Sequence, residues 1–263
     1  MSSPRIQLTP QSEGWRYLSF AVHRPLEATL VSVPDQELAI VPLSGTVTVV
    51  VDGQHVMLSR TSVFDQMPHV VYAPPGVEVT IQGDGECSVG SAPADGRYPV
   101  RVITPDEMPS EIRGGGAARR QVVHILGPAL PAERLILFEV YVPRGSWSGW
   151  PPHCHDGFDG SPYLEETYYF RTEPADGFCM HRNWRTDEPF DETHVAHDGD
   201  VVTVPKGYHS SVACPGSHMY FLNHLAGEPV AEQRATPPCF HGAYTWIEDD
   251  WSARGWELPK VTK

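Results

Sequence analysis

His153 and His155 stand one residue apart in "GWPPHCHDGFDGSPYLEETYYF" (residues 149–170). Glu165 and Glu166 follow at the head of a β-branched and aromatic run. Two imidazoles and a carboxylate are of no use to an apolar core, but together they are the donor set of a divalent metal site. On a β-strand residues i and i+2 face the same way, so His153 and His155 can both point inward while Cys154 points outward. Glu166 then begins the next strand. Further on, "GDVVTVPKGYH" supplies another strand, a tight Pro-Lys-Gly turn and His209 beyond it. Three neutral imidazoles and one carboxylate suit one divalent first-row ion per chain: Zn, Mn, Fe, Co or Ni. Four protein ligands on an ion able to take five or six leave room for a substrate, which is a catalytic arrangement. Taken singly, a His-x-His is often a surface pair and His209 a turn residue. It is their joint presence with the Glu-led strand that points to a metal, and the remaining histidines have no such support.

The elements that must position these groups are short. Runs such as "ATLVSV", "ELAIVPL", "TVTVVVDG", "VEVTIQG", "RLILFEVYV" and "HMYFLNHLAG" are β-branched or alternating and are bounded by turn residues. The 26 prolines and 23 glycines are spread along the chain instead of collecting in a linker. Periodic helical segments are nearly absent, so the pattern predicts an all-β sandwich or barrel, with one short helix near Ala226–Arg234.

The chain also says the same thing twice. Each half has a Glu-led strand, a hairpin and a strand ending in Pro-x-Gly, Pro74–Gly76 in the first and Pro205–Gly207 in the second. Glu37 stands at the matching place in the first half, but no His-x-His precedes it, and Val77-Glu78 replaces Tyr208-His209. The expected domains are 1–112, a copy without the metal site, and 113–263, the copy that carries it. The seam is "RVITPDEMPSEIRGGGAARRQ", whose Gly114–Gly116 read as a mobile loop.

Composition excludes several classes. The longest apolar runs fall short of the ~18 residues of a membrane span. The N-terminus lacks the apolar core of a secretory signal, so a soluble, cytoplasmic protein is expected. Five scattered cysteines without CxxC pairs indicate reduced thiols. A formal charge of −14 with no basic run argues against a nucleic-acid partner and requires a local basic pocket for any anionic substrate. A homo-oligomer is expected.

"PPHCHD…E" and "GDVVTVPKGYH" resemble the two metal motifs of the cupin superfamily. Ten residues between His155 and Glu166, and one between Gly207 and His209, depart from the common pattern. Together with "YLEETYYFR" and "YFLNHLAG" they resemble one branch, the bicupin isomerases comprising 5-deoxy-glucuronate isomerase and 4-deoxy-L-threo-5-hexosulose-uronate ketol-isomerase. The first is the nearer. The resemblance implies two tandem cupin (jelly-roll) β-barrels, with His153, His155, Glu166 and His209 on the metal. It also implies conversion of 5-deoxy-D-glucuronate to 5-dehydro-2-deoxy-D-gluconate, a step of myo-inositol catabolism.

"HRNWR" (181–185), Ser210, His224-Leu225 and the tail "CFHGAYTWIEDDWSARGWELP" depart from the branch and bear on the sugar rather than the fold. An isomerase removes a proton α to a carbonyl and returns it next door. A metal with open positions would polarise that carbonyl, and a nearby base would shuttle the proton. The base is left open. Glu166 and Tyr168 share a face, Glu165 points away, and Tyr168 can equally be a barrel-lining aromatic. Lys206 can polarise an oxygen or bind the carboxylate, or simply be solvated. Arg182 is the preferred carboxylate clamp, because guanidinium pairs a carboxylate in bidentate fashion. Two rival readings are a 3-His/1-Glu dioxygenase and a non-catalytic sugar-binding bicupin.

Overall fold

The computed structural model describes residues 3–252 and 258–262; residues 253–257 of the unfamiliar tail lie outside the described residues. Its chain folds almost wholly into antiparallel strands, in the expected all-β bicupin architecture. Strands up to Arg101–Ile103 pair only with one another, in a nine-stranded system. The Gln36–Val51 strand runs through both walls of this first barrel. Its first part pairs with Glu86–Pro93 and Val70–Ala73, its second with Gln54–Arg60 and Val79–Gly83, and the register shifts between Pro42 and Ser44. The second barrel has two walls. A six-stranded sheet contains Ser110–Arg113, Arg120–Leu126, Ile136–Val142, His218–Gly227, Leu164–Glu173 and Val201–Val204. A five-stranded sheet contains Asp191–His197, Phe178–Trp184, Tyr208–Ala213, Trp147–Cys154 and Cys239–Phe240. Ser110–Arg113 thus belongs with the second barrel, a few residues earlier than the expected boundary.

Period-two alternation sorts the Leu164–Glu173 strand onto two faces. Tyr168 and Phe170 join Cys179, Val204 and Phe221 inside the second barrel. Tyr169, from the other face, joins Val123, Ile125, Leu137 and Leu222 against Leu18, Phe20, Val41 and Tyr72 of the first barrel. A core is therefore shared between the barrels, with a separate apolar interior of Leu38, Ile40, Val49 and Ile81 inside the first.

Two glutamates cross this shared core in opposite directions. Glu37 accepts hydrogen bonds from the backbone N–H groups of Glu133 (2.8 Å), Arg134 (2.6 Å) and Leu135 (2.8 Å), and from the Tyr72 hydroxyl (2.7 Å). Glu165 accepts from the N–H groups of Arg16 (2.7 Å), Tyr17 (2.9 Å) and Leu18 (2.7 Å), and from the Tyr163 hydroxyl (3.2 Å). Register supports the equivalence, since Glu37 lies opposite Ala92 and Glu165 opposite Ala226. This corrects the sequence alignment of the halves: Glu37 corresponds to Glu165, and the counterpart of Glu166 is Leu38, buried in the apolar interior of the first barrel. A second tie is the fully buried ion pair of Arg60 with Glu139 (2.6 Å), whose carboxylate also accepts from the hydroxyls of Tyr141 (3.0 Å) and Tyr220 (2.7 Å).

Two local expectations change. Ala226 and Gly227 stay in the His218–Gly227 strand, and the expected helix is a 3-10 turn at Ala231–Ala235, while a short capped helix forms at Pro10–Glu13. The three glycines at the seam allow close approach of neighbouring groups. A Cβ at Gly115 would lie 2.7 Å from the Trp251 ring, and one at Gly114 (φ +71°) would lie 2.8 Å from the Arg120 guanidinium.

Candidate metal centre and its cavity

His153 sits directly opposite His209 across the Trp147–Cys154 and Tyr208–Ala213 strands, and Asn183 lies on the far side of His209. His155 follows one step beyond the strand. The ten residues between it and Glu166 close on themselves: Leu164 N–H donates to the His155 carbonyl (2.6 Å), and the His155 ring Nδ1 bonds the Leu164 carbonyl (3.0 Å). That closure brings Glu166 Oε2 to 2.9 Å from His155 Nε2 and 3.2 Å from His209 Nε2. One nitrogen from each of His153, His155 and His209 lies within 4.8 Å of the others, the only such group of three potential ligands among the described residues.

The turn carrying His209 is held from the same segment. Asp156 Oδ2 accepts from Gly207 N–H (2.8 Å) and from the Arg185 guanidinium (2.8 Å). A Cβ at Gly207, φ +79°, would stand 2.3 Å from the Trp184 carbonyl, so only glycine lets the turn pass there.

The residues fit a divalent cation. With Nδ1 committed to a backbone carbonyl, His155 presents Nε2 to the centre, the usual way a ligating imidazole is oriented. Apart from its 3.2 Å approach to Glu166 Oε2, the buried His209 Nε2 has no protein partner among the described residues. In the bare protein, burial pushes the His155 pKa down, but the hydrogen bond and charge of Glu166 win and raise it. Desolvation likewise opposes ionisation of Glu166, yet its bonds to His155 and His209 carry the carboxyl well below its ordinary range. His153 goes the other way. Burial first, then its two histidine neighbours, hold it well below the ordinary value and so neutral, as a ligand must be. Cys154 faces away, and burial pushes its thiol up to about 12.

A cavity of about 300 Å³, the small end of the range for ligand sites, opens onto this cluster. His153, His155, Glu166, Tyr168 and Asn223 line it, as does Arg120. Tyr168 shares the inner face with Glu166, and burial, then the Glu166 charge, raise its pKa well above the usual phenol value. Arg182 and Lys206 are not brought to the cavity. On the Phe178–Trp184 strand His181 and Asn183 point in, so Arg182 between them points out. It grips Asp191 on the surface with contacts of 2.8 and 2.6 Å. Lys206 pairs with Glu188 (2.7 Å) and lies over the Phe190 ring. The carboxylate-clamp reading of Arg182 fails on this alternation.

His181 was not singled out from sequence. It stacks 6.0 Å from the His209 ring and bonds Ser211 (2.8 Å) and Asn183 (3.0 Å), and burial holds it neutral, with a pKa of about 3. The unfamiliar tail covers the same end of the barrel. Phe240 lies opposite His153 in register, and His241 packs on Tyr208.

The KduI/IolB family model matches residues 2–247. The chain belongs to the KduI/IolB family. A 5-deoxy-glucuronate isomerase of Geobacillus kaustophilus is 40% identical over 232 residues, covering 84% of each chain. One from Lacticaseibacillus casei is 37% identical over 244 residues, 89% of this chain and 87% of its own. Among solved structures, an IolB-like protein from Salmonella typhimurium LT2 matches with a TM-score of 0.87 at 34% identity, covering 94% of this chain and 96% of that one. A variant of Bacillus subtilis oxalate decarboxylase matches with a TM-score of 0.57 at 13% identity, over 88% and 76%, a likeness of fold alone. Among the described residues of this KduI/IolB-family chain, no helix is long and apolar enough to cross a membrane.

Proposed function

We propose that this protein is a cytoplasmic, metal-dependent aldose–ketose isomerase that converts 5-deoxy-D-glucuronate to 5-dehydro-2-deoxy-D-gluconate in myo-inositol catabolism. One divalent ion would be held by His153, His155, Glu166 and His209 in the second of the two cupin copies. The observation that carries this reading is the His153–His155–His209 group, with Glu166 in contact with His155 and His209, beside a sugar-sized cavity lined by His153, His155 and Glu166. The names of relatives up to 40% identical over most of the chain support the substrate.

When bound, the ion polarises the carbonyl of the substrate. The protein does the rest. Tyr168, buried and kept protonated, gives a hydrogen bond to the oxygen whose charge grows as the α-proton leaves. Glu166 is the carboxylate beside the reacting carbons, and its second oxygen, Oε1, bonds neither His155 nor His209. Apolar walls from Phe138, Leu164 and Leu225 limit the water that reaches the reacting carbons.

The test is NMR of 5-deoxy-glucuronate incubated anaerobically in D₂O with metal-stripped protein restored with Mn, Zn or Co. Isomerisation with deuterium entering at the reacting carbon is the expected result. No turnover with any ion, or turnover that needs oxygen, overturns the assignment.

A further inference from the structure

A uronate has charge at the end of its carbon chain that the metal does not hold, and an acidic protein must supply a cation there. Three arginines line the cavity. Arg113 pairs with Glu111, and Arg234 spends its guanidinium on the backbone carbonyls of Ala231, Leu135 and Leu130. Arg120 is different. It is 6% exposed, yet among the described residues no carboxylate pairs with it. Its bonds run from Nη1 to the Ala118 carbonyl (3.0 Å) and from Nη2 to the Trp150 carbonyl (3.3 Å). These two anchors take two of five N–H groups and fix the plane of the fork. A buried charge without a counter-charge is unfavourable by itself, which makes the position costly unless an anion joins it.

We infer that Arg120 is the residue that receives the carboxylate of the sugar acid and so sets the specificity for uronates over neutral sugars. The inference rests on the isomerase reading for the identity of the substrate, but not for the charge it selects.

The placement suits the role. Arg120 begins the Arg120–Leu126 strand of the six-stranded wall, whereas His153 and His209 come from the five-stranded wall. A chain molecule with its carbonyl end at the histidines and its carboxylate on Arg120 therefore spans the cavity. Arg120 is near enough for its charge to act on both His153 and Tyr168. Desolvation, and after it the charge of neighbouring Arg113, lower the guanidinium to about 10, still charged at neutral pH. Gly114 makes the room, as a side chain there would stand 2.8 Å from Nη1.

Two measurements test this with the metal-loaded enzyme. In turnover, Arg120→Met should raise KM for 5-deoxy-glucuronate about 10²-fold, with bound metal unchanged, the scale of a lost charge-assisted bidentate contact. Arg120→Lys, which keeps charge but not the fork, should raise it about tenfold. In calorimetry with D-glucuronate and D-glucose as probes, the wild type should prefer the acid and Arg120→Met should lose that preference. This arm stands whether or not the wild type turns over 5-deoxy-glucuronate, so failure of the isomerase reading shows separately as inactive wild type that still prefers the acid. If Arg120→Met does not fold, the Arg120→Lys values decide. Variants that keep wild-type KM and acid preference overturn the inference, as does a wild type that binds glucuronate no better than glucose.

Discussion

Glu165 and Glu166 are neighbours that should fail in opposite ways when each is made glutamine. Glu165 faces the first barrel, where Oε1 takes Arg16 N–H and the Tyr163 hydroxyl and Oε2 takes Tyr17 N–H and Leu18 N–H. Glutamine replaces one of these oxygens with an NH₂ group. Its better orientation turns NH₂ toward Tyr163, whose hydroxyl can accept, and leaves Arg16 N–H facing another donor. One partly buried N–H without a partner costs about 1–3 kcal/mol. The surviving bonds also fall from charge-assisted to neutral, roughly halving their strength. The sum is about 3 kcal/mol, or roughly 6–12 °C in melting temperature for a chain of this size. Turnover per folded molecule and metal content should be unchanged. Glu166→Gln should instead retain some metal and lose nearly all isomerisation. Differential scanning fluorimetry, metal analysis by mass spectrometry and the NMR assay read all three quantities. A Glu165→Gln protein that melts with the wild type, or one that folds normally but loses its metal, would refute the assignment of faces.

His153→Ala, His155→Ala and His209→Ala should each lose most bound metal and nearly all activity, since the described residues offer no spare group of three ligands; full occupancy in any two, by metal analysis, contradicts this. His224 is fully buried, neutral and held at about 3 by desolvation, while an unfolded histidine takes up its proton near pH 6.5. Its folded pKa being the lower, its contribution is complete above pH 6.5 and is lost as pH falls, by about 2 kcal/mol between pH 7 and pH 5. Urea titrations should show that loss shrink in His224→Leu. Arg60→Met strands Glu139 in the shared core and should destabilise by about 3–5 kcal/mol, seen as a lower urea midpoint; an unchanged midpoint counts against a buried ionised Glu139.

The strand content and the histidine cluster were legible in the sequence because both follow from short-range rules. Period-two alternation places His153 and His155 with respect to their neighbours, and turn residues mark the element ends. The same alternation, applied to "FCMHRNW", would have pointed Arg182 outward and His181 inward. A preference for charge as carboxylate partner overrode it. Arg120 left no such trace. In "AARRQVVH" it looks like one of two surface arginines, and only the packing of Gly114, Ala118 and Trp150 around it separates it from exposed Arg119. The match of Glu37 with Glu165 was hidden for a related reason. Residue type allows either glutamate of the pair, whereas the register against Ala92 and Ala226 allows one.

The exchange of carboxylates between the barrels bears on what each copy is free to become. Among the described residues the first half offers no group of three potential metal ligands, and Leu38 lies in an interior given over to apolar packing. Yet its Glu37 closes the amides of residues 133–135, and its own residues 16–18 are closed by Glu165 of the other half. Drift in the first copy is therefore limited at its border with the second. A shortened descendant reduced to the second half would have to find new partners for Glu165 and for three amides at once, a change no single substitution can make.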